Sequence, residues 1–436
     1  MSGIKKNQKN ILSKLNIEKL NPMQEEAQQA IHSGSEIVLL SPTGTGKTLA
    51  FMLPIIAALD AKCAEIQVLI LVPSRELAIQ IEQVIREMGT GYKTNAFYGG
   101  RNFSKDRMDL NHPPAILIGT PGRVSDHILR ETFSTQNIKT LVLDEFDKSL
   151  EIGFEAEMKS IITSLPKVRK KILTSATQEV DIPSFVGLSN PVYVDYLHEK
   201  IQQLKIKTII SSSKDKLETL VDALNHLGNQ PGIVFCNFKE TIQRVSDFLT
   251  ENKIGHGCFY GGMEQIDRER ALIKFRNGTH QLIIATDLAA RGLDIPELKF
   301  IIHYHLPLRS QEFTHRNGRT ARMHNEGTAY ILKWVGEDLP SFIPKTEIEK
   351  VKKAPVRAES EWTTLFISGG RKDKISKGDI AGLFIKQGLL EIDQLGAIEL
   401  KHDCAFVAVQ AQKVNELLPL VDNSKLKNKK VRVVII

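Results

Sequence analysis

EIVLLSPTGTGKTLAFMLPIIAAL, residues 36–59, decides the fold. Five residues of strand character run into a loop with two glycines, and the loop opens a helical run. Gly44 and Gly46 let backbone N–H groups turn inward, and the helix N-terminus behind them adds positive potential. Such a loop cradles phosphates. It fits the pattern G-x-x-x-x-G-K-[ST], with Ser41 where the first Gly is usual. Thr43, Gly44, Thr45 and Gly46 supply the cradle, Lys47 reaches the terminal phosphates, and the Thr48 hydroxyl takes magnesium.

Outward from this unit the same alternation repeats. VLILVP, AILIGTP, TLVLDE and KILTSAT are strand candidates, and amphipathic stretches such as RELAIQIEQVIREM lie between them. Strands at this spacing with helices between them read as βαβ units and a parallel sheet. The pattern starts again after residue 205. GIVFCN, HGCFYGG, QLIIATD, KFIIHYHLP and GTAYILKW read as strands, and KDKLETLVDALNHL, ETIQRVSDFLTEN and DRERALIKFRNG as helices. The expected fold class is α/β: two parallel-sheet lobes in tandem, residues 1–200 and 205–345, without detectable sequence similarity to each other. The charged, Pro-containing stretch 346–360 reads as a linker. Residues 361–436 read as a small α+β domain, with strands TTLFIS, AIELK, AFVAV and KKVRVVII and helices GDIAGLFIKQ and AQKVNELLPLV.

Composition sets bounds. A chain of 436 residues is too long for one core. The net charge of +7 permits a polyanion partner without requiring one. Cys63, Cys236, Cys258 and Cys404 are scattered and fit buried thiols better than a zinc site or a disulfide framework. The N-terminus has no apolar core of signal-peptide length, and no apolar run approaches a membrane span, so the expected location is cytoplasmic, with no membrane partner. No long heptad run is present, so a monomer is expected.

LVLDEFD (141–147) places three carboxylates in four residues at a strand end. A solvated acidic turn is one reading. The other follows from the phosphate loop in the same lobe: Asp144 holds magnesium with Thr48, and Glu145 polarises the attacking water. Ser175 and Thr177, at the end of KILTSAT, are placed to bind Asp147. HRNGRTAR (315–322) carries Arg316, Arg319 and Arg322, either as a solvated basic helix face or as a set that reaches a γ-phosphate. ATDLAARGLD (285–294) is a polar loop just after a strand, a binding loop by default in an α/β sheet.

Together these motifs resemble the DEAD-box family of ATP-dependent RNA helicases over residues 12–335, in the family's order: GTGKT, PSRELAIQ (73–80), GG (99–100), TPGR (120–123), DEFD, SAT, IVFCN, QIDR (265–268), ATDLAARGLD and HRNGRTAR. The resemblance implies two RecA-like lobes, an RNA-dependent ATPase with ATP and Mg2+ as cofactors, and lobes that close on ATP and RNA. It assigns Gln24 to adenine, Lys47 and Thr48 to phosphate and metal, Asp144 to metal, Glu145 to water, Asp147, Ser175 and Thr177 to coupling, Asp294 to ribose, and Arg319 and Arg322 to the γ-phosphate. RNA-backbone contacts fall to Arg75, Gly99, Gly100, Thr120, Gly122, Arg123, Gln265, Arg268 and Thr286. Three departures stand out. Phe146 replaces Ala in DEAD, which implies repacking. The aromatic usual before Gln24 is missing. His305 stands where Asp is usual.

TTLFISGGRKDKISKGDI (363–380) and CAFVAVQ (404–410) resemble the RRM-like C-terminal domain of DbpA-type helicases. That implies RNA contact through Arg371, Lys372 and Lys374, with the basic end 425–432 either a further contact or a protected edge strand. Phe366 and Phe406 are either stacking platforms or core. The resemblance implies local unwinding of RNA duplexes in large-subunit ribosome assembly, with ribosomal RNA or a pre-ribosomal particle as partner. The alternatives are an ATP-gated RNA clamp without strand separation, a DNA helicase, and a last domain that serves only as a cap.

Overall fold

The computed structural model describes residues 7–177, 181–197, 204–287, 298–320, 326–356 and 360–436. They fall into two compact units: the first lobe, and the second lobe with the C-terminal domain.

In the first lobe β1 (Glu36–Leu40), β2 (Val68–Leu71), β3 (Thr94–Phe97), β4 (Ile116–Gly119), β5 (Thr140–Leu143), β6 (Lys170–Ser175) and β7 (Val192–Asp195) form one sheet. Its order is β3-β4-β2-β5-β6-β1-β7, and every pairing is parallel. Parallel strands are covered on both faces, so β2 and β4 are apolar and buried at every position. The helices that cover them have one apolar stripe. In Arg75–Met88 the buried Leu77, Ala78, Ile81, Ile85 and Met88 recur at helical spacing, Ser74 caps the start by accepting from Leu77 N–H, and Gly89 at φ +58° ends it.

The second lobe repeats the plan. β8 (Leu204–Ser211), β9 (Gly232–Phe235), β10 (Gly257–Phe259), β11 (Leu282–Ala285), β12 (Phe300–His303), β13 (Gly327–Trp334) and β14 (Glu347–Ile348) pair in parallel in the order β10-β11-β9-β12-β13-β8-β14. β14 lies in the stretch read as a linker. Two residues, both exposed, have no periodicity to read; the adjoining Glu349 accepts from Lys207 at 2.5 Å and holds that edge.

The C-terminal domain is antiparallel: β15 (Trp362–Ile367), β16 (Leu395–Leu400), β17 (Ala405–Gln410) and β20 (Val433–Ile435), ordered β16-β17-β15-β20. The basic end divides into a hairpin, β18 (Lys425–Leu426) with β19 (Lys429–Lys430), ahead of β20. Leu365, Ile367, Ala405, Val407 and Val409 face the core with Ile380, Phe384 and Leu417.

Candidate functional site

The phosphate loop leaves the C-terminal end of β1, the edge where ligands bind in open α/β sheets. Gly44 and Gly46 both take positive φ, +85° and +84°. At Gly46 a Cβ would stand 2.3 Å from Gln24 Nε2, so only glycine fits. Gln24 itself is 4% exposed. It accepts from Asn21 N–H at 3.0 Å and donates to Gly46 O at 3.3 Å, while Asn21 Nδ2 donates to Thr45 O at 3.0 Å. The capping box of the helix Pro22–Ser33 thus fastens the phosphate loop. Lys47 Nζ donates to Ser41 O at 2.6 Å and Pro42 O at 2.8 Å; Ser41 Oγ donates to Thr45 Oγ1, which donates on to Pro42 O. Ser41 therefore does work inside the loop that Gly could not. Thr43 and Thr48 lie on the same loop and the first turn behind it.

Two strands away in the sheet, β5 delivers the acid run. Asp144 is 3% exposed, and its Oδ1 accepts from Thr174 Oγ1 at 2.5 Å. Thr174 Oγ1 also accepts from Glu145 N–H at 3.1 Å. Sequence reading missed Thr174. The signal is sheet register: β5 and β6 pair Leu143 with Leu173, so the next residues on each strand face one another. Glu145 sits at φ +48° and starts a short helix, Phe146–Glu151. Its Oε2 is buried and has no hydrogen-bond partner. Asp147 Oδ2 accepts from Thr177 Oγ1 at 3.2 Å and lies 3.7 Å from Lys148 Nζ. Ser175 Oγ instead donates to Thr177 O at 2.9 Å and accepts from Thr177 N–H at 3.0 Å, bracing that residue. Phe146 is buried in the core with Leu71, Leu143, Met158 and Leu173.

Burial raises the Asp144 carboxyl to about 6, against the Thr174 hydrogen bond, and also raises Asp147, against Lys148. A buried carboxylate with raised affinity for a proton, an orphaned Glu145 oxygen and a Gly-lined loop with a lysine fit a nucleotide phosphate and a hard divalent cation. Because the folded carboxyl of Asp144 holds its proton above the ordinary 3.8, its stabilising contribution is complete below that pH and is lost as pH rises through about 6. Asp144→Asn is therefore expected to raise the stability of the nucleotide-free protein at pH 8 by roughly 2–3 kcal/mol. In thermal melts the gain should shrink towards pH 4; a variant less stable than wild type at pH 8 would contradict it.

Arg75, Gly99, Gly100, Thr120, Gly122 and Arg123 gather at the ends of β2, β3 and β4 in the first lobe. In the second lobe Gln265 opens the helix Gln265–Arg276, Arg268 lies 4.6 Å over the Phe259 ring, and Thr286 N–H donates to Phe259 O at 3.3 Å. Asp294 and Arg322 lie outside the described residues. Arg319 follows the helix Ser310–Asn317 and is 5% exposed.

The basic helix-face reading of HRNGRTAR does not hold for Arg316, which is 1% exposed. Its guanidinium donates to both Asp287 oxygens at 2.7 and 2.5 Å, to His305 O at 2.7 Å and to Asn237 Oδ1 at 2.8 Å. His303 Nε2–H donates to Asn317 Oδ1 at 3.1 Å, which leaves Nδ1 facing Arg316. Burial, then Arg316, pushes His303 down to about 3; burial, then Lys216 and Arg316, pushes His305 down to about 4. Both rings are neutral at pH 7, so Asp287 balances Arg316. His305, at the position where Asp is usual, serves this hub through its carbonyl and by accepting from Asn237 N–H at 3.2 Å.

In the C-terminal domain Arg371 and Lys372 are exposed on a 3-10 turn, Arg371–Asp373, and Lys374 follows at φ +60°. Asp373 fixes the turn by accepting from Gly370 N–H at 3.0 Å and from Lys429 Nζ at 2.9 Å, so Lys429 of the hairpin stands beside the GGRKDK loop. Phe366 and Phe406 are neither core nor open platform. They pair across the ladder at 5.7 Å on the face opposite the domain core. On that face Thr364 meets Asn277 and Thr279, and Glu399 pairs with Arg276 at 2.8 Å, so the second lobe covers it.

Comparison with known proteins identifies the family. Residues 21–184 match the DEAD/DEAH box helicase family, 215–324 the helicase conserved C-terminal domain, and 364–435 the DbpA RNA binding domain. The ATP-dependent RNA helicase DbpA of Escherichia coli is 31% identical over 438 residues, covering 97% of this chain and 95% of the relative. That of Bacillus subtilis is 30% identical over 436 residues, covering 91% of each. The structure of S. cerevisiae Dbp5 bound to RNA and ADP BeF3 aligns with a TM-score of 0.67 at 25% identity, over 76% of this chain and 88% of that one. The chain belongs to the DEAD-box family of ATP-dependent RNA helicases. Its third matched domain places it in the DbpA type of that family.

Proposed function

We propose that this helicase uses ATP, with magnesium, to separate short RNA duplexes during large ribosomal subunit assembly. The observation that supports it is the union in one chain of the phosphate-loop and acid site with a basic GGRKDK–hairpin surface on a DbpA-type domain. Thr43–Gly46 and Lys47 hold the phosphates, and Gln24 reads the adenine beside the loop it fastens. Thr48 and Asp144 would hold magnesium, which supplies charge neutralisation on the phosphates when bound. Glu145 orients the attacking water and takes its proton. Asp294, Arg319 and Arg322 complete the nucleotide contacts. Thr177, braced by Ser175, reports the state of Asp147. Arg75, Gly99, Gly100, Thr120, Gly122, Arg123, Gln265, Arg268 and Thr286 hold one RNA strand by its backbone, a contact without sequence preference. Arg371, Lys372 and Lys374 supply the attachment to a structured ribosomal RNA. The protein works as a cytoplasmic monomer; no helix among the described residues is long and apolar enough to cross a membrane.

ATP turnover with no RNA, with generic single-stranded RNA, and with a large-subunit ribosomal RNA fragment carrying the peptidyl-transferase-centre hairpin tests this. The fragment is expected to stimulate most strongly. Equal stimulation by any RNA would remove the ribosomal target, and stimulation without strand displacement would leave an RNA clamp.

A further inference from the structure

The first lobe holds a buried charge cluster that its sequence motifs do not account for. Asp106, on the helix Phe103–Leu110, has no exposed side-chain surface. Its Oδ2 accepts from Arg123 Nε at 2.8 Å and lies 3.2 Å from His127 Nε2; its Oδ1 lies 3.0 Å from Arg101 Nε. Arg123 Nη2 also donates to Arg101 O at 2.9 Å, and its guanidinium lies 4.8 Å over the Phe103 ring. Arg101 donates in turn to Ala96 O at 2.7 Å and to Asp109. The His127 ring is stacked between Phe97 and Phe103, with centroids 4.9 and 4.3 Å away. Three basic side chains thus meet one carboxylate in a nearly dry site.

What the cluster joins gives it a role. Arg101 directly follows the Gly99–Gly100 turn, and Arg123 closes the Thr120–Arg123 turn. Gly100, at φ +86°, leaves room for Arg75, whose Nη1 would lie 2.7 Å from a Cβ there. The three segments leave different strands, and sheet register fixes none of them beyond its strand end. An RNA strand presents its phosphates at set spacings, so backbone contacts add up only when the turns are held in a common register. The Arg123 side chain is 13% exposed, and its Nε and Nη2 are committed within the cluster.

We infer that Asp106 is a positioning residue for RNA binding: through Arg101 and Arg123 it holds the Gly99–Gly100 and Thr120–Arg123 turns in one register against the RNA backbone. The inference rests on the reading that these turns bind RNA.

The test is ATP turnover of the full chain against the concentration of generic single-stranded RNA, with nucleotide binding by the RNA-free protein as the fold control. Asp106→Asn keeps the shape and removes the charge. It is expected to raise the half-saturating RNA concentration about tenfold, with turnover at saturating RNA within about twofold of wild type. Asp106→Glu should recover much of the loss. Phe103→Leu removes the ring beneath Arg123 without stranding a charge, and should raise half-saturation to a smaller degree. A purely structural role would lower the melting temperature and leave half-saturation unmoved, and that result overturns the inference. If Asp106→Asn cannot bind nucleotide, Phe103→Leu decides, and an unchanged half-saturation again overturns it. A wild type stimulated neither by generic RNA nor by the ribosomal RNA fragment overturns the RNA reading and the inference together; if only the fragment stimulates, the same variants are titrated with it and the same outcomes decide.

Discussion

Glu145→Gln is expected to lower RNA-stimulated ATP turnover by about 10²–10⁴-fold, the usual contribution of a positioned general base. Nucleotide affinity should stay close to wild type. The split follows from geometry. Glu145 Oε2 is buried and has no protein donor, so it is available to a water. The Glu145 backbone, not its side chain, carries the structural bond, through N–H to Thr174 Oγ1. Glutamine keeps that bond and the side-chain volume and loses only the basic oxygen. Single-turnover hydrolysis beside a nucleotide-binding titration measures the two effects separately. A variant within about threefold of wild-type turnover would remove Glu145 from the water-activating role.

Arg316→Met is expected to destabilise the second lobe by about 3–5 kcal/mol, the cost of breaking a buried ion pair from one side. Asp287 would lose both of its bidentate bonds, while Asn237 Oδ1 and His305 O would lose a donor. The two tryptophans, Trp334 and Trp362, both lie in the unit that contains this hub. Their fluorescence during urea unfolding therefore reports that unit and is silent on the first lobe. A loss below about 1 kcal/mol would show that water replaces the guanidinium and that the hub is not structural. Adding Asp287→Asn to Arg316→Met should recover part of the loss, because the second change removes the stranded charge.

Much of this protein was legible in order along the chain. The apolar runs EIVLL, VLIL and TLVL are strands because a parallel sheet buries both faces, a demand visible without partners. The phosphate loop was legible because its glycines and lysine act through local backbone geometry. β14 was not, since a two-residue edge strand is defined only by the neighbour it joins. Phe366 and Phe406 stayed ambiguous because strand alternation assigns two faces and does not say which one a second domain covers.

The sequence by itself determined the two parallel-sheet lobes, the phosphate loop, the acid run and the basic loop of the last domain, because each depends on residues close together in the chain. Only the tertiary structure decided what the charges do. It sets Asp144 against Thr174 through sheet register, buries Arg316 on Asp287, and closes Arg101, Arg123 and His127 around Asp106. All but the Arg101–Asp106 contact join residues 17 to 30 positions apart, and a buried charge is stable only where the fold delivers its partner.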